Sequence, residues 1–205
     1  MKSELRYGII GAGSMGREHI ENIKVMGGAT VSAISDPHKA SQEAALAMAP
    51  GAKVFSDHRA LIDSGLVDAI IVATPNDTHA AVLKDCLASD SAVFVEKPLA
   101  TTVEDLKSIL AWDEKRSAMT WMGLEYRFMP PVAEAIARAK EGEAGKIHQV
   151  TIREHREPFY PKVDNWNRFA ERTGGTLVEK CCHYFNLMDL VIGQQPVRVF
   201  ASGGQ

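Results

Sequence analysis

Along the first 125 residues, short apolar runs alternate with amphipathic stretches. Residues 5–10, 30–35, 52–55, 69–73, 92–95 and 119–122 form runs dominated by Val, Ile and Ala or closely similar apolar residues. Each is too short for a helix and suits a strand buried on both faces. Between them, residues 14–27, 38–48, 58–64, 77–88 and 102–115 carry helical spacing. Strands alternating with helices predict a doubly wound α/β fold, with a parallel sheet covered on both sides.

The pattern changes near residue 125. A helix is expected over 130–141, followed by a turn at EGEAG (141–145). KIHQVTIREHR (146–156) alternates and is rich enough in β-branched residues to predict a long strand with one wet face. A loop rich in Pro, Asn and Arg (158–173) leads to a helix over 176–192, and 197–201 reads as a further strand. The expected organisation is a nucleotide-binding domain over 1–124 and a partial α+β domain over 125–205. Two strands and two helices make a poor core, so the second domain is expected to lack its end.

Composition narrows the function classes. With 45% hydrophobic and 24% charged residues the chain has an ordinary globular make-up. A net charge of -3 offers no basic footprint for nucleic acid. No apolar run approaches a membrane span. Cys86, Cys181 and Cys182 are too few for a disulfide framework, which fits a reducing compartment. With no signal peptide in MKSELRYGII, the expectation is a cytoplasmic protein.

GIIGAGSMG (8–16) follows the first predicted strand and opens the first predicted helix. Gly11, Gly13 and Gly16 form G-x-G-x-x-G, with Ala12, Ser14 and Met15 between them. In this strand–turn–helix context the motif reads as a Rossmann fingerprint, the other reading being a glycine turn that binds nothing. The first glycine permits the turn, the second lets a pyrophosphate approach, and the third packs helix on strand. Asp36 ends the second strand, 20 residues past Gly16, where a carboxylate would accept ribose hydroxyls. A carboxylate there repels a 2′-phosphate, which favours NAD; His38 and Lys39 beside it keep NADP open. Asp36 also suits the N-cap of the next helix, ahead of Pro37.

Ligands of such sheets bind at the carboxyl ends of the strands. Two ends are loaded with polar groups. One is TPNDTH, with Thr74, Pro75, Asn76 and His79, which reads equally as turn and capping chemistry. The other is EKP, with Glu96 and Lys97 ahead of Pro98. A lysine there can hold an alkoxide or carbonyl oxygen, or can simply be solvated. On a helix over 176–192, Val178, Cys181, Cys182, Phe185, Met188 and Ile192 fall on one arc, the expected core face. Glu179, His183 and Asn186 fall on its flank, with Glu179 and His183 stacked at i,i+4. Such a pair is an acid–imidazole couple at a buried edge, or a plain surface pair. A metal site would need a third ligand, and none is evident.

Taken in order, G-A-G-x-M-G with Asp36, TPNDTH and EKP resemble the Gfo/Idh/MocA oxidoreductase family. MGLEYRFMPP (122–131), GKI (145–147) and TGGTLVEKCCHYFNLMDLVIG (173–193) extend the resemblance over essentially the whole chain. It implies an NAD(P)-dependent dehydrogenase moving hydride between nicotinamide and a CH–OH carbon of a sugar, cyclitol or related polyol. It implies that Lys97 and His183 contact the reacting oxygen, His183 as acid/base, with Glu179 binding or tuning. Glu179 and Asn186 stand where many members carry Asp. Arg127 matches the family's junction arginine, which braces the structure or lies near the site. Trp166, Asn167 and Arg168 are candidates for stacking on and hydrogen-bonding a sugar ring, or for loop packing. The family also implies a homo-oligomer formed through an open, mainly antiparallel sheet in the completed second domain. The alternative is a non-catalytic relative that binds a dinucleotide as a sensor or regulatory module.

Overall fold

The computed structural model describes residues 4–155 and 157–202. Strands β1 (Leu5–Ile10), β2 (Ala29–Ser35), β3 (Lys53–Phe55), β4 (Ala69–Val72), β5 (Ala92–Glu96) and β6 (Thr120–Gly123) form one sheet. All neighbours are parallel, in the order β3-β2-β1-β4-β5-β6. Helices α1 (Ser14–Met26), α2 (Lys39–Met48), α3 (His58–Ile62), α4 (His79–Cys86) and α5 (Val103–Asp113) connect them. Each strand end falls within one residue of its predicted run.

The apolar runs work because successive strand residues point to opposite faces. Ile10, Ile70, Val72, Val93 and Val95 join Leu61, Leu83 and Ile109 in the core on one side. Ile9, Val31, Ile34 and Ile71 join Ile20 and Ile23 on the other. The chain winds outward from β1 to β3, then returns to lay β4 beside β1. That reversal leaves a crevice at the carboxyl ends of β1 and β4.

Two close approaches shape the crevice. Gly11 follows β1 with φ +90°, and a Cβ there would lie 2.6 Å from the carbonyl carbon and oxygen of Ala73. A Cβ on Gly16 would lie 2.0 Å from the Gly11 carbonyl oxygen. The loop therefore sits on the end of β4 and under the first turn of α1 with no room for a side chain.

Beyond β6 the elements are α6 (Pro130–Lys140), α7 (Ala170–Thr173), α8 (Gly175–Glu179) and α9 (Cys182–Ile192). By their contacts, Phe159–Glu179 belong with the sheet unit, whereas Leu124–Pro158 and the residues from Lys180 onward make a second unit. In the second unit α6, α9 and the 3-10 turn Glu125–Phe128 pack together.

Three expectations are corrected. The helix expected over 176–192 is two helices, broken by a turn at Lys180 and Cys181. No strand forms among the described residues of 146–156 or 197–201, and Arg156 lies outside them. Alternation is not enough for a strand: it needs a neighbouring strand to complete its hydrogen bonds and a surface to cover one face. Val197, Val199 and Phe200 are 100%, 84% and 90% exposed, so their apolar side chains rest on nothing in the described unit.

The Gly11 contact gives a test. Gly11→Ala should lower stability by about 2–4 kcal/mol, since strain at positive φ adds to the backbone clash. Gly13→Ala should cost less, about 1 kcal/mol or under, because nothing lies within 4 Å of a Cβ there and only the N-cap preference for Gly over Ala is lost. Thermal unfolding of both variants measures this; an unchanged midpoint for Gly11→Ala would contradict the contact.

Candidate functional site

In the sheet unit, the start of α1 is built to be open. Gly13 is its N-cap, with no side-chain cap and no acid in the first turn. The first-turn N–H groups thus keep their capacity for an anion. The open space at Gly13 is where an approaching phosphate would need it. Ser14 is exposed, Met15 half-buried and Ala12 fully buried.

The loop is fixed from β2. Gly11 N–H donates to the Ser35 carbonyl at 2.8 Å. Ala12 N–H donates to Asp36 Oδ2 at 2.7 Å in a buried bond. Asp36 Oδ1 accepts the His38 N–H at 2.7 Å. The N-cap of α2 is His38, so Asp36 shapes the turn ahead of the helix instead of capping it. A carboxylate has about four acceptor positions, so two such bonds leave it able to accept ribose hydroxyls. Uncapped N–H groups, an open second glycine and a carboxylate at the end of β2 together fit a dinucleotide.

The strand-end residues divide into two kinds. Thr74, Pro75 and Asn76 line the turn after β4, where the Thr78 hydroxyl donates to the Pro75 carbonyl at 2.7 Å. His79 and Glu96, both expected at the cofactor, also make hydrogen bonds within the protein. His79 is fully buried, with Nδ1 2.8 Å from the Pro98 carbonyl oxygen and Nε2 3.1 Å from that of Thr74. Burial pulls its imidazole below the ordinary histidine range, outweighing those carbonyls, so the ring is neutral and offers one N–H between two loops. Glu96 Oε1 meets His19 Nε2 on α1 at 2.7 Å, and Oε2 accepts the Lys97 N–H at 3.3 Å.

Residues 159–179 cross the carboxyl ends of the strands and are tied there at four points. Arg172 forks onto Asp77 at 2.9 and 3.3 Å. Asn76 Nδ2 donates to the Thr173 carbonyl at 3.4 Å. Lys162 Nζ donates to Ser14 Oγ at 2.8 Å. Lys97 Nζ donates to the Glu179 carbonyl at 3.2 Å, which brings two candidate residues together through the backbone of one. Of the sugar-ring candidates, Asn167 donates to the Tyr160 carbonyl at 2.9 Å and Arg168 to that of Phe159 at 2.7 Å. Both hold their own loop; Trp166 is half-buried. Lys162, Asp77 and Arg172 were not singled out from the sequence. Asp77 and Arg172 are 95 positions apart, and no local pattern links them.

The second unit holds His183, which is 2% exposed. Its ring stacks on Tyr126 at 4.2 Å and 12° between planes. Its Nε2 lies 3.5 Å from Glu125 Oε1. Glu179 ends α8 and His183 is the second residue of α9, so the two do not share the single helix that would stack them at i,i+4. The expected core arc is also turned. Phe185 and Ile192 are 55% and 47% exposed, while His183 and Leu187 are the buried residues of α9. The break resets the helical phase, and it buries Lys180. The Lys180 ammonium lies 3.0 Å from Glu154 Oε2 and 4.3 Å over the Tyr126 ring, and it hydrogen-bonds the Tyr126 hydroxyl. Tyr184 donates its hydroxyl to Glu154. Burial pushes the Glu154 carboxyl up, but Tyr184 and Lys180 outweigh it and hold the group below the ordinary range. Arg127 Nε donates to Asn186 Oδ1 at 3.0 Å, a bracing contact.

Lys180 thus anchors the ring on which His183 rests. Lys180→Met should cost about 1–3 kcal/mol, discounted for the partial exposure of Glu154. The double variant Lys180→Met/Glu154→Gln should cost less, since no carboxylate is stranded. Urea unfolding of the two compares them; equal stability of Lys180→Met and the parent would remove the anchor role.

The model of an oxidoreductase family with an NAD-binding Rossmann fold, Gfo/Idh/MocA, matches residues 5–124. The model of its C-terminal alpha/beta domain matches residues 136–205. An inositol 2-dehydrogenase of Rhizobium meliloti (strain 1021) is 29% identical over 97% of this chain. The chain spans 58% of that relative's length. The crystal structure of a myo-inositol dehydrogenase from Lactobacillus casei in complex with NAD(H) and myo-inositol is 32% identical, with TM-score 0.65, over 67% of this chain and 42% of that one. A probable dehydrogenase from Thermotoga maritima is 26% identical, with TM-score 0.80, over 93% of this chain and 56% of its own. No helix among the described residues is long and apolar enough to cross a membrane.

Proposed function

The chain belongs to the Gfo/Idh/MocA oxidoreductase family, and from that premise we propose that it forms the nucleotide-binding and catalytic part of an NAD-dependent dehydrogenase acting on a CH–OH carbon of a cyclitol or sugar-like polyol. One observation carries the reading. The uncapped start of α1, Asp36 at the end of β2 and Lys97 at the end of β5 lie on the carboxyl edge of one parallel sheet. The relatives named for inositol support a cyclitol as substrate class.

NAD, when bound, supplies the hydride acceptor. Lys97 is assigned to hold the substrate oxygen as charge builds on it, by a charge-assisted hydrogen bond. His183 is assigned to take the hydroxyl proton, for which an imidazole is suited near neutral pH. Its stacking on Tyr126 fixes the ring plane, and a base aimed in one direction is the more effective. The Glu179 side chain is assigned to substrate binding or to tuning this chemistry. Among the sugar-ring candidates Trp166 is favoured, because Asn167 and Arg168 are already engaged with their own loop. Residues 125–205 are assigned to the opening of a substrate domain whose completed sheet would form the oligomer, and a cytoplasmic setting fits the cysteine usage.

Nicotinamide reduction with a panel of inositols and sugars tests the proposal. Turnover is expected with at least one cyclitol. Lys97→Ala and His183→Ala should each lower kcat by about 100-fold or more while NAD affinity is kept. Undiminished turnover in either variant would remove that residue's role. NAD binding with no reduction across the panel would favour the non-catalytic relative.

A further inference from the structure

Lys162 is a cation placed at a helix start, and the reading above gives it no task. It precedes the 3-10 turn Val163–Arg168, in the segment that crosses the strand ends. Its Nζ reaches back 148 positions to Ser14 Oγ, at 2.8 Å. Ser14 is the first residue of α1, next to Gly13 and the open space beside it. No ion pair to Lys162 occurs among the described residues; a neutral hydroxyl is the partner the structure gives it. Burial pushes this ammonium below the ordinary lysine range, and the like charge of Lys97 pushes the same way, against Glu96, Glu179 and Glu18. A half-buried cation whose hydrogen-bond partner is a neutral hydroxyl, at an uncapped helix start, is poised for an anion.

We infer that Lys162 is a further cofactor-binding residue, which closes over the glycine loop and pairs with the pyrophosphate of the dinucleotide. This rests on the NAD reading above. The helix start supplies N–H groups from one side and Lys162 supplies a full charge from the segment opposite. The pyrophosphate carries two negative charges, so it offsets what the Ser14 hydroxyl cannot. The competing role is a tether that merely fastens the segment to α1.

Calorimetric titration of the protein and of Lys162→Ala, Lys162→Met and Lys162→Arg with NAD, ADP and adenosine separates the two. The pairing predicts that Lys162→Ala and Lys162→Met weaken NAD and ADP about ten-fold or more, the cost of losing a charge-assisted hydrogen bond. Adenosine, which has no phosphate, should bind all forms alike, and Lys162→Arg should keep most of the ADP affinity. Weakening ADP binding with salt should be steeper for the parent than for Lys162→Met. Equal losses for ADP and adenosine would establish the tether and overturn the inference, as would no loss for either. If the parent itself binds no NAD, the dinucleotide reading fails and takes this inference with it. Circular dichroism of each variant checks that it is folded.

Discussion

The site depends on backbone brought against backbone where β1 ends. Gly11 leaves the strand at φ +90° directly against the Ala73 carbonyl, and Gly16 lets α1 start over the same loop. The Ala12–Asp36 bond then fixes the loop from the other side. A buried carboxylate bonded to main-chain N–H groups holds the turn and still keeps acceptor capacity. The cost of that geometry is glycine at positions where any side chain would collide. The benefit is an open helix start, whose N-cap Gly13 makes no side-chain cap.

A second layer of control comes from residues 159–179. They follow the second unit's first segment in sequence yet fasten to the turns after β1, β4 and β5. The Lys97 contact has a local consequence. In an unbroken helix the Glu179 carbonyl would accept from the N–H four residues on. Instead it takes the Lys97 ammonium, while His183 N–H turns to the Lys180 carbonyl at 3.3 Å. The lysine from the sheet is thus bonded at the point where α8 gives way to the turn before α9.

The sheet was legible because its central strands are mostly apolar runs, packed against helices close in sequence. The glycine loop and Asp36 were legible because spacing alone brings them together at the first two strand ends. The break at Lys180 and Cys181 was not, because the group that competes for the Glu179 carbonyl lies 82 residues away. The phase of α9 departs from the expected arc for the same reason: with the helix starting at Cys182, His183 and Leu187 are buried and Phe185 is not. His79 and Glu96 were placed at the correct strand ends. Their partners, two carbonyls and a histidine on α1, are tertiary and carry no sequence mark. The strand patterns at 146–156 and 197–201 show the reverse case. Local propensity was present, but among the described residues no neighbouring strand completes it.

We propose that the carboxyl edge of this sheet holds NAD and that Asp36 selects it over NADP. Calorimetric titration of the protein with each nucleotide tests it most directly. A single NAD site and weaker binding of NADP are expected, since the Asp36 carboxylate and a 2′-phosphate repel. A folded protein that binds neither nucleotide, or that prefers NADP, would contradict it.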